Sequence, residues 1–447
     1  MKNKHWTILS VCLAAIIIAG AVIIPQFLQN RQAAEPQSAE PQSAETAGET
    51  SDEDPSAAGE KPQAAKKPAA KPMERDKSKS IEEQAKELLE QMTLEEKVGQ
   101  MLMIGFHGQK ISSEAEDMIR NKKVGGIIYF SRNMSSPGQV ASLSNSLQKE
   151  AMKERLRLPL MIAVDQEGGS ITRMRERVSP IPSQQKIGQQ ATPKEAYEIA
   201  KLNGTELAAM GININYAPVM DLSAKDTRSL GMQPEKTYQY GKEIVDAFHS
   251  LNITGALKHF PGNGRSSIDP HKDTSSVKAN DADLEKSDIY PFTQMIKNTD
   301  NQNFFVMVTH IKYPAYDKVK PASLSPAIIQ DLLRKKLGYK GIVVTDDLEM
   351  GAVNKYYSFK DMGIEAVNAG ADLLLVCHEY KHQKEIYNGV LQAVKSGKIK
   401  EQRIDEAVTR ILVHKLTKKD KTESDPDVAD RIVGSKEHLQ VLRKLGY

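Results

Sequence analysis

A carboxylate and an imidazole lie two residues apart in the segment 258–271, which follows an apolar run that ends at Leu257. The pair is Asp269 and His271, and two glycines and two prolines in the same segment favour a loop. A histidine that hydrogen-bonds to an aspartate through one ring nitrogen is held in one tautomer and becomes a tunable proton donor. The segment therefore indicates an enzyme with a histidine–aspartate acid/base pair.

A second reactive carboxylate is predicted at Asp346, which comes directly after the apolar run 341–344. A retaining glycosidase combines a carboxylate nucleophile with a separate acid/base group nearby. Asp346 is the best nucleophile candidate because it follows the strand immediately. We interpret its neighbour Asp347 as a cap of the following helix.

Other polar side chains that follow apolar runs have the chemistry to hold a sugar. Lys258 and His259 can donate hydrogen bonds to hydroxyl groups, as can Arg173. Asp165 can accept two hydrogen bonds from neighbouring hydroxyls. These residues predict a carbohydrate-binding pocket around Asp346.

The elements that must position these residues are eight short apolar runs separated by amphipathic segments. In chain order the runs are 101–106, 124–130, 160–164, 212–219, 253–257, 304–308, 341–344 and 373–376. Near-continuous apolar runs that alternate with helices are typical of a parallel sheet. Eight repeats predict an α/β fold of the (β/α)8 TIM-barrel type, in which catalytic groups lie at the carboxyl ends of the strands. An open, doubly wound sheet is the alternative.

The first 79 residues differ from the barrel domain, which we place at residues 80–447 with a C-terminal helical extension. Residues 1–30 contain Lys2 and Lys4 before the apolar stretch 8–24. Roughly 20 apolar residues span a bilayer, and preceding positive charges keep the N-terminus in the cytoplasm. We therefore expect a single-pass transmembrane anchor in the cell membrane with an extracellular catalytic domain. The alternative is a cleaved signal segment and a secreted protein.

Residues 31–79 have a composition that does not support a folded core. They contain a five-residue repeat at 34–43 and almost no large apolar side chain. Such segments bury too little apolar surface to offset the entropy of the chain. We expect a disordered low-complexity linker that holds the barrel away from the membrane.

Composition argues against several other classes of protein. The net charge of +3 is too close to balance to indicate a nucleic-acid partner. Only Cys12 and Cys377 are present, which indicates neither a disulfide framework nor a zinc site. We expect a monomer without a metal or another cofactor.

Residues 80–418 resemble the bacterial β-N-acetylglucosaminidases (β-N-acetylhexosaminidases) of glycoside hydrolase family 3, in their single-domain barrel form. The matching stretches occur in the same order and are 92–101, 165–169, 217–221, 258–262, the Asp269/His271 pair, 321–326 and 345–348. The Asp-x-His pair is similar to the signature that separates this branch from the β-glucosidases and β-xylosidases of the family.

The resemblance implies a role for each candidate residue. Asp346 is the implied nucleophile, His271 the acid/base and Asp269 its orienting partner. The implied ligands of the terminal N-acetylglucosamine are Asp165, Arg173, Arg228, Lys258 and His259. Substrates of this branch are commonly peptidoglycan fragments, and no metal is required.

This chain departs from the family pattern at three positions near the expected sugar pocket. Asn263 stands where the family usually has histidine, Ser170 replaces arginine and Leu230 replaces phenylalanine. An altered substrate preference or a lower rate is therefore expected.

The leading interpretation is a retaining, exo-acting hydrolase that removes terminal β-linked N-acetylglucosamine from cell-wall glycans. A phosphorylase that uses the same residues is one alternative, because a histidine acid/base does not repel an incoming phosphate. A catalytically idle wall-binding domain is the other.

Overall fold

Eight parallel strands form a closed barrel at the centre of the domain. The computed structural model describes residue 72 and residues 75–266, 272–418 and 423–447. These all belong to the compact unit Ala69–Tyr447, whereas the unit Met1–Pro68 lies outside the described residues. The strands are β1 (Leu102–Ile104), β2 (Gly126–Tyr129), β3 (Met161–Val164), β4 (Ile214–Asn215), β5 (Thr254–Phe260), β6 (Phe304–Val308), β7 (Val343–Thr345) and β8 (Leu374–Val376).

Each strand pairs with the next in the sequence, and β1 pairs with β8. A bridge between Val344 and Leu373 joins β7 to β8, and Thr345 N donates to Leu373 O at 3.1 Å. The sheet therefore has no open edge. The predicted (β/α)8 barrel is confirmed, and the open-sheet alternative is wrong.

Helices surround the barrel, and each crossover between strands contains at least one. They are α1 (Ile81–Gln91), α2 (Leu94–Gln100), α3 (Ser113–Arg120), α4 (Pro137–Met152), α5 (Gln184–Gln190), α6 (Pro193–Ala209), α7 (Pro234–Ser250), α8 (Asp281–Lys286), α9 (Tyr290–Asn298), a π-helix (Ala327–Lys336), α10 (Gly351–Asn354), α11 (Phe359–Ala369), α12 (Tyr380–Lys395), α13 (Glu401–Thr417), α14 (Pro426–Ile432) and α15 (Lys436–Lys444). Every residue of the eight strands is buried, as expected for a sheet covered on both faces.

The sequence fixes the start of the first two helices through capping boxes. Ser80 caps α1, and Glu83 completes the box. At α2, Thr93 Oγ1 accepts from Glu96 N at 3.3 Å, and the Glu96 carboxylate accepts from Thr93 N at 2.9 Å. Each box satisfies backbone donors that have no partner within the helix. The second box sets where α2 begins, and the end of this helix is followed almost directly by β1.

Strand β5 is longer than its apolar run predicts and contains a bulge. The run ends at Leu257, but the strand continues to Phe260. Leu257 pairs with Val306 and Phe260 with Val308, so β5 has one residue more than β6 over this interval. Side chains normally alternate between the two faces of a strand. The extra residue changes this alternation.

Strand β4 is shorter than predicted, with two residues in place of the run 212–219. Pro218 has no N–H group and cannot donate to a neighbouring strand. Its carbonyl still accepts from Lys258 N at 3.2 Å, and a bridge joins Val219 to Lys258. The chain therefore continues alongside β5 without a regular ladder.

The amino-terminal end of the barrel is stabilised by a buried carboxylate. Asp372, which is fully buried, accepts from Arg403 Nη2 at 2.6 Å and Arg410 Nη1 at 2.9 Å and also pairs with Arg334. Val343 N donates to the same side chain at 3.0 Å. One aspartate thus connects the starts of β7 and β8 to α13 and the π-helix.

The predicted C-terminal extension consists of α14 and α15. Buried Glu206 on α6 accepts from Gly434 N at 2.9 Å and is 2.8 Å from His438 Nδ1. These bonds hold the extension against the barrel. None of the helices in the described residues is long and apolar enough to cross a membrane, and the segment 1–30 lies outside those residues.

Candidate active site

A pocket of about 280 Å³ opens at the carboxyl ends of the strands. It is lined by every predicted site residue that the structure describes: Asp165, Arg173, Arg228, Lys258, His259 and Asp346. Asp269 and His271 lie outside the described residues. The barrel therefore brings together residues that are up to 181 positions apart in the sequence (346 − 165).

Four of the charged side chains form a connected network. Lys258 Nζ lies 2.7 Å from Asp165 Oδ1 and 2.6 Å from Glu167 Oε1. Arg228 makes two bonds of 2.8 Å to the Glu167 carboxylate, through Nε and Nη2. This two-point contact fixes the guanidinium in one plane.

The network keeps Glu167 and Lys258 ionised. Burial alone would raise the pKa of Glu167, but Lys258 and Arg228 lower it to about 2. Burial would lower the pKa of Lys258, yet Asp165 and Glu167 hold it above its ordinary value. The pocket consequently presents a fixed set of charges before any ligand enters.

Arg173 has a hydrogen-bond donor without a partner in the described residues. Its Nη2 lies 3.5 Å from Asp165 Oδ2, and its guanidinium lies over the ring of Phe130 at 5.2 Å. Within the described residues, the buried Nε atom has no acceptor. A polar ligand in the pocket could satisfy this donor.

His259 is oriented by Asp221, a residue at the end of the fourth predicted run. His259 Nδ1 lies 2.7 Å from Asp221 Oδ2, and the backbone N–H groups of His259 and Asn263 donate to Oδ1 at 3.0 and 2.7 Å. Burial would raise the pKa of Asp221, but His259 and these donors lower it. The ionised carboxylate therefore accepts from a protonated Nδ1 and fixes the ring.

The bulge in β5 accounts for two adjacent residues in one pocket. Lys258 and His259 both line the cavity, although neighbouring residues of a regular strand point to opposite faces. Both were predicted to lie at the end of the fifth strand, directly after the apolar run that ends at Leu257. In the structure Phe260 returns to the ladder, so both residues lie within the strand.

Asp346 follows β7 at the base of the same pocket. Its Oδ1 accepts from Asp347 N at 2.9 Å, and its own N–H donates to Val308 O at 3.0 Å. Burial would raise the pKa of Asp346, but nearby His259, the Asp347 N–H donor and Lys258 lower it. The side chain is thus an ionised carboxylate, the form that a nucleophile requires.

His310 supports the backbone next to Asp346. Its Nε2 lies 2.9 Å from Asp347 O, which can only accept, so Nε2 carries the proton. Its Nδ1 then accepts from Ser323 Oγ at 2.7 Å. Burial lowers the pKa of His310, and the ring is a neutral support.

The interpretation of Asp347 as a helix cap is wrong. Helix α10 begins at Gly351 without a side-chain cap. Asp347 Oδ1 instead accepts from Glu349 N at 3.1 Å and Cys377 N at 3.2 Å. The carboxylate stabilises the turn between them and ties it to the segment after β8.

One group of side chains in the described part of the chain has the composition of a cation site: Asp347, Glu349 and His378. Arg132 Nη1 lies 3.2 Å from His378 Nδ1, and a guanidinium can only donate. His378 Nε2 therefore carries the proton and faces Asp347 Oδ2 at 3.3 Å. Both ring nitrogens of His378 therefore already have partners within the protein, and we assign no metal ion to this group.

Three residues that line the pocket were not predicted from the sequence: Glu167, Phe130 and His378. Glu167 belongs to a motif that was noticed, but its role depends on Lys258 and Arg228, which come from distant segments. Phe130 and His378 lie with their ring centroids 5.2 Å apart and form an aromatic wall. No signal in the sequence connects the ends of β2 and β8.

The three departures from the family pattern differ in their relation to the pocket. Leu230 is buried in a separate apolar cluster with Ile181 and Ile187. Ser170 is exposed and its carbonyl accepts from Arg175 at 2.9 Å. The Oδ1 atom of Asn263 is buried and has no donor within the described residues. Asn263 is therefore the departure closest to the site chemistry, since it shares Asp221 with His259.

Known proteins resemble this chain in both sequence and fold. The family profile "Glycosyl hydrolase family 3 N terminal domain" matches residues 93–413. "Beta-hexosaminidase A" of Pseudoalteromonas piscicida is 30% identical over 79% of this chain, which spans 66% of that protein, just under two thirds. "Beta-hexosaminidase" of Nitrosomonas eutropha is 30% identical over 69% of this chain and 90% of its own length.

A solved structure extends this similarity to three dimensions. The glycoside hydrolase family 3 β-N-acetylglucosaminidase from Paenibacillus sp. is 36% identical with a TM-score of 0.72. The match covers 79% of this chain and 68% of that one.

Proposed function

Because the chain belongs to glycosyl hydrolase family 3, and within it to the β-hexosaminidases, we propose that it is a retaining, exo-acting β-N-acetylglucosaminidase. The observation that carries this proposal is the ionised Asp346 in a pocket bounded by Asp165, Lys258 and Arg228. We expect this pocket of about 280 Å³ to hold one terminal sugar. The acid/base pair is Asp269 and His271.

In the first step, an Asp346 carboxylate oxygen attacks the anomeric carbon of the terminal sugar. The bond from that carbon to the departing oxygen breaks, and the His271 imidazolium transfers its proton to this oxygen. The product is a glycosyl ester on Asp346. Asp269 holds the imidazole in the required tautomer.

In the second step, His271 takes a proton from water, and the water oxygen attacks the anomeric carbon. The ester bond breaks and Asp346 regains its charge. Two inversions at one carbon give net retention. The same histidine thus acts first as an acid and then as a base.

The charged network orients the sugar in both steps. Asp165 can accept from two neighbouring hydroxyls, while Lys258 and Arg173 can donate to them. Arg228 keeps Glu167 ionised, and Glu167 in turn holds Lys258 in place. His259, fixed by Asp221, supplies a further contact to the sugar.

Leaving-group dependence tests this function. His271→Ala should lower turnover of N,N′-diacetylchitobiose by roughly 10²–10⁴-fold, the range for losing a general acid. The loss in the first step should shrink with a dinitrophenyl N-acetylglucosaminide, because this leaving group needs no proton. His249→Ala, at an exposed histidine outside the pocket, serves as the control.

Three results would contradict the proposal. An equal loss with both substrates would show that another group protonates the leaving oxygen. Absence of any N-acetylglucosaminide turnover by the unmodified chain would favour the idle binding domain. Appearance of N-acetylglucosamine 1-phosphate only when phosphate is added would identify a phosphorylase instead.

We further propose that the substrate is a peptidoglycan fragment and that residues 1–30 anchor the chain in the cell membrane. The support is the resemblance of the barrel and the charge pattern of the N-terminal segment. Release of N-acetylglucosamine from a purified muropeptide tests the substrate.

Digestion of residues 31–447 by external protease in intact protoplasts tests the topology. Finding most of the protein free in the medium would contradict the membrane anchor.

A further inference from the structure

The chain is fixed on the N-terminal side of residues 267–271. We call residues 262–266 the N-terminal stem. Gly262 O accepts from Tyr313 Oη at 2.5 Å. Arg265 Nε donates to the buried carboxylate of Asp288 at 2.7 Å, and its Nη2 donates to Ser287 Oγ at 2.9 Å. This stem is therefore held by the segments after β6 and around α8.

The chain is also fixed on the C-terminal side, in residues 272–277, which we call the C-terminal stem. Lys312 N donates to Ser275 O, and Val277 N donates to Lys312 O, both at 2.9 Å. Ser276 forms a parallel bridge with Lys312. These bonds attach the stem to the segment after β6, but they begin four residues after His271.

Asp273 makes a contact that is closer in the sequence to Asp269 and His271. Its partners belong to the segment after β7, not to the segment after β6. Tyr356 Oη donates to Asp273 Oδ1 at 2.6 Å, and Lys355 Nζ lies 3.3 Å from Oδ2. The Tyr356 hydrogen bond lowers the pKa of Asp273 below its ordinary value. Tyr356 and Lys355 directly follow α10, in the segment after β7 that begins with Asp346.

Asp273 therefore connects the segment of the proposed acid/base, His271, to the segment of the proposed nucleophile, Asp346. It stands two residues after His271, and its partners Lys355 and Tyr356 stand nine and ten residues after Asp346. On the proposed function, on which this inference rests, the acid/base and the nucleophile must act on opposite atoms of one glycosidic bond. Small errors in the placement of reacting groups have large effects on rate.

We infer that Tyr356 is a positioning residue for the acid/base, acting through its hydrogen bond to Asp273. A role in overall stability does not explain this pair. The side chain of Asp273 is 42% exposed and Tyr356 is 56% exposed. Exposed polar pairs contribute little to the free energy of unfolding.

The test compares Tyr356→Phe with a matched control. The variant should lower kcat/KM for diacetylchitobiose by about three- to tenfold, which corresponds to one hydrogen bond. Its kcat/KM for the dinitrophenyl N-acetylglucosaminide should stay within about twofold, because the bond to this leaving group breaks without a proton. The control is Tyr290→Phe, since Tyr290 Oη donates to exposed Glu235 at 2.7 Å outside the pocket.

Variants at Asp273 provide the second arm. Asp273→Ala should reproduce the selective loss on diacetylchitobiose, whereas Asp273→Asn keeps an oxygen acceptor and should restore most of the rate. The urea midpoint of every variant should match that of the unmodified chain. This separates a positioning effect from partial unfolding.

The outcomes distinguish this inference from the proposed function. If His271→Ala depends on the leaving group but Tyr356→Phe affects both substrates equally or neither, the positioning role is wrong. If His271→Ala shows no such dependence, the acid/base assignment and the inference both fail. A shifted urea midpoint in Tyr356→Phe would identify a structural role and also overturn the inference.

Discussion

Glu167 shows how one side chain can organise a pocket without contacting the reacting atoms. It lies between Lys258 and Arg228 and bonds to both. Its charge offsets two adjacent cations, the buried Lys258 and the half-buried Arg228, since an unpaired buried charge is costly. The donors of Lys258 and Arg228 are thereby fixed before the substrate arrives.

The nucleophile assignment leads to a prediction for two adjacent aspartates. Asp346→Asn should lower turnover by at least about three orders of magnitude, because an amide cannot form the glycosyl ester. Asp347→Asn should mainly lower stability, since Asp347 stabilises a turn through Glu349 N and Cys377 N. Single-turnover kinetics and urea unfolding of both variants make the comparison.

A fluorinated glycoside that traps the covalent intermediate provides the direct check of this prediction. The unmodified chain should carry the label on Asp346. A label on Asp347, with Asp346 unmodified, would reverse the assignment.

The sequence was informative about site residues wherever a side chain follows an apolar run directly or almost directly. Asp165, Lys258, His259 and Asp346 could be predicted because the carboxyl ends of barrel strands converge. Glu167 and His378 could not, because their roles depend on contacts between strands that are distant in the sequence. Pairing of this kind leaves no trace in local composition.

At the scale of elements, the positions of all eight strands followed from the apolar runs, but their ends did not. Burial on both faces produces such runs, so the pattern reports where a strand lies. It does not report a bulge. Lys258 and His259 are polar and still belong to β5. Their side chains line the pocket and do not pack in the apolar core, so the apolar run ends before them.

The buried Asp372 should be important for stability and unimportant for chemistry. It joins α13 and the π-helix to the starts of β7 and β8, at the end of the barrel opposite the pocket. Asp372→Asn leaves three guanidinium groups without their anion and should cost about 3–5 kcal/mol of unfolding free energy. At a temperature where the variant stays folded, kcat should be unchanged.

Urea denaturation and steady-state kinetics on the same preparation check this expectation. Asp331→Asn is a suitable control, because Asp331 makes an exposed ion pair with Lys335 on the same π-helix. A large fall in kcat with unchanged stability would show that Asp372 influences the pocket across the barrel.

At the scale of the whole molecule, a buried amine makes stability depend on pH. Lys415 on α13 is 4% exposed, and its Nζ donates to Gln100 Oε1 at 2.7 Å. Burial lowers its pKa to about 7, from an ordinary value near 10.4 in an unfolded chain. Between these values the unfolded chain binds more protons than the folded one.

Stability should therefore rise as the pH increases from about 7 towards about 10, because the proton that only the unfolded chain holds on Lys415 is bound less and less favourably. Below pH 7 the full cost is present. Lys415→Met should remove this cost and stabilise the fold at pH 6.5 by on the order of a few kcal/mol. The gain should diminish at higher pH.

Urea midpoints of both proteins at about pH 6.5 and about pH 9 measure the effect. Lys418 titrates in the same direction, since burial lowers its pKa to about 8, so the difference between the two proteins is the informative quantity. An equal gain at both pH values would show that Lys415 binds its proton equally in the folded and unfolded states, and that burial does not lower its pKa.

The bulge in β5 has a consequence for how this barrel can vary over evolution. Between Leu257 and Phe260 the chain passes through three residue steps while β6 passes through two. Deleting one residue there would restore a regular ladder and turn either Lys258 or His259 out of the pocket. A substitution at either position changes one contact, whereas a change in length alters both. In this segment, the number of residues is therefore constrained more tightly than their identity.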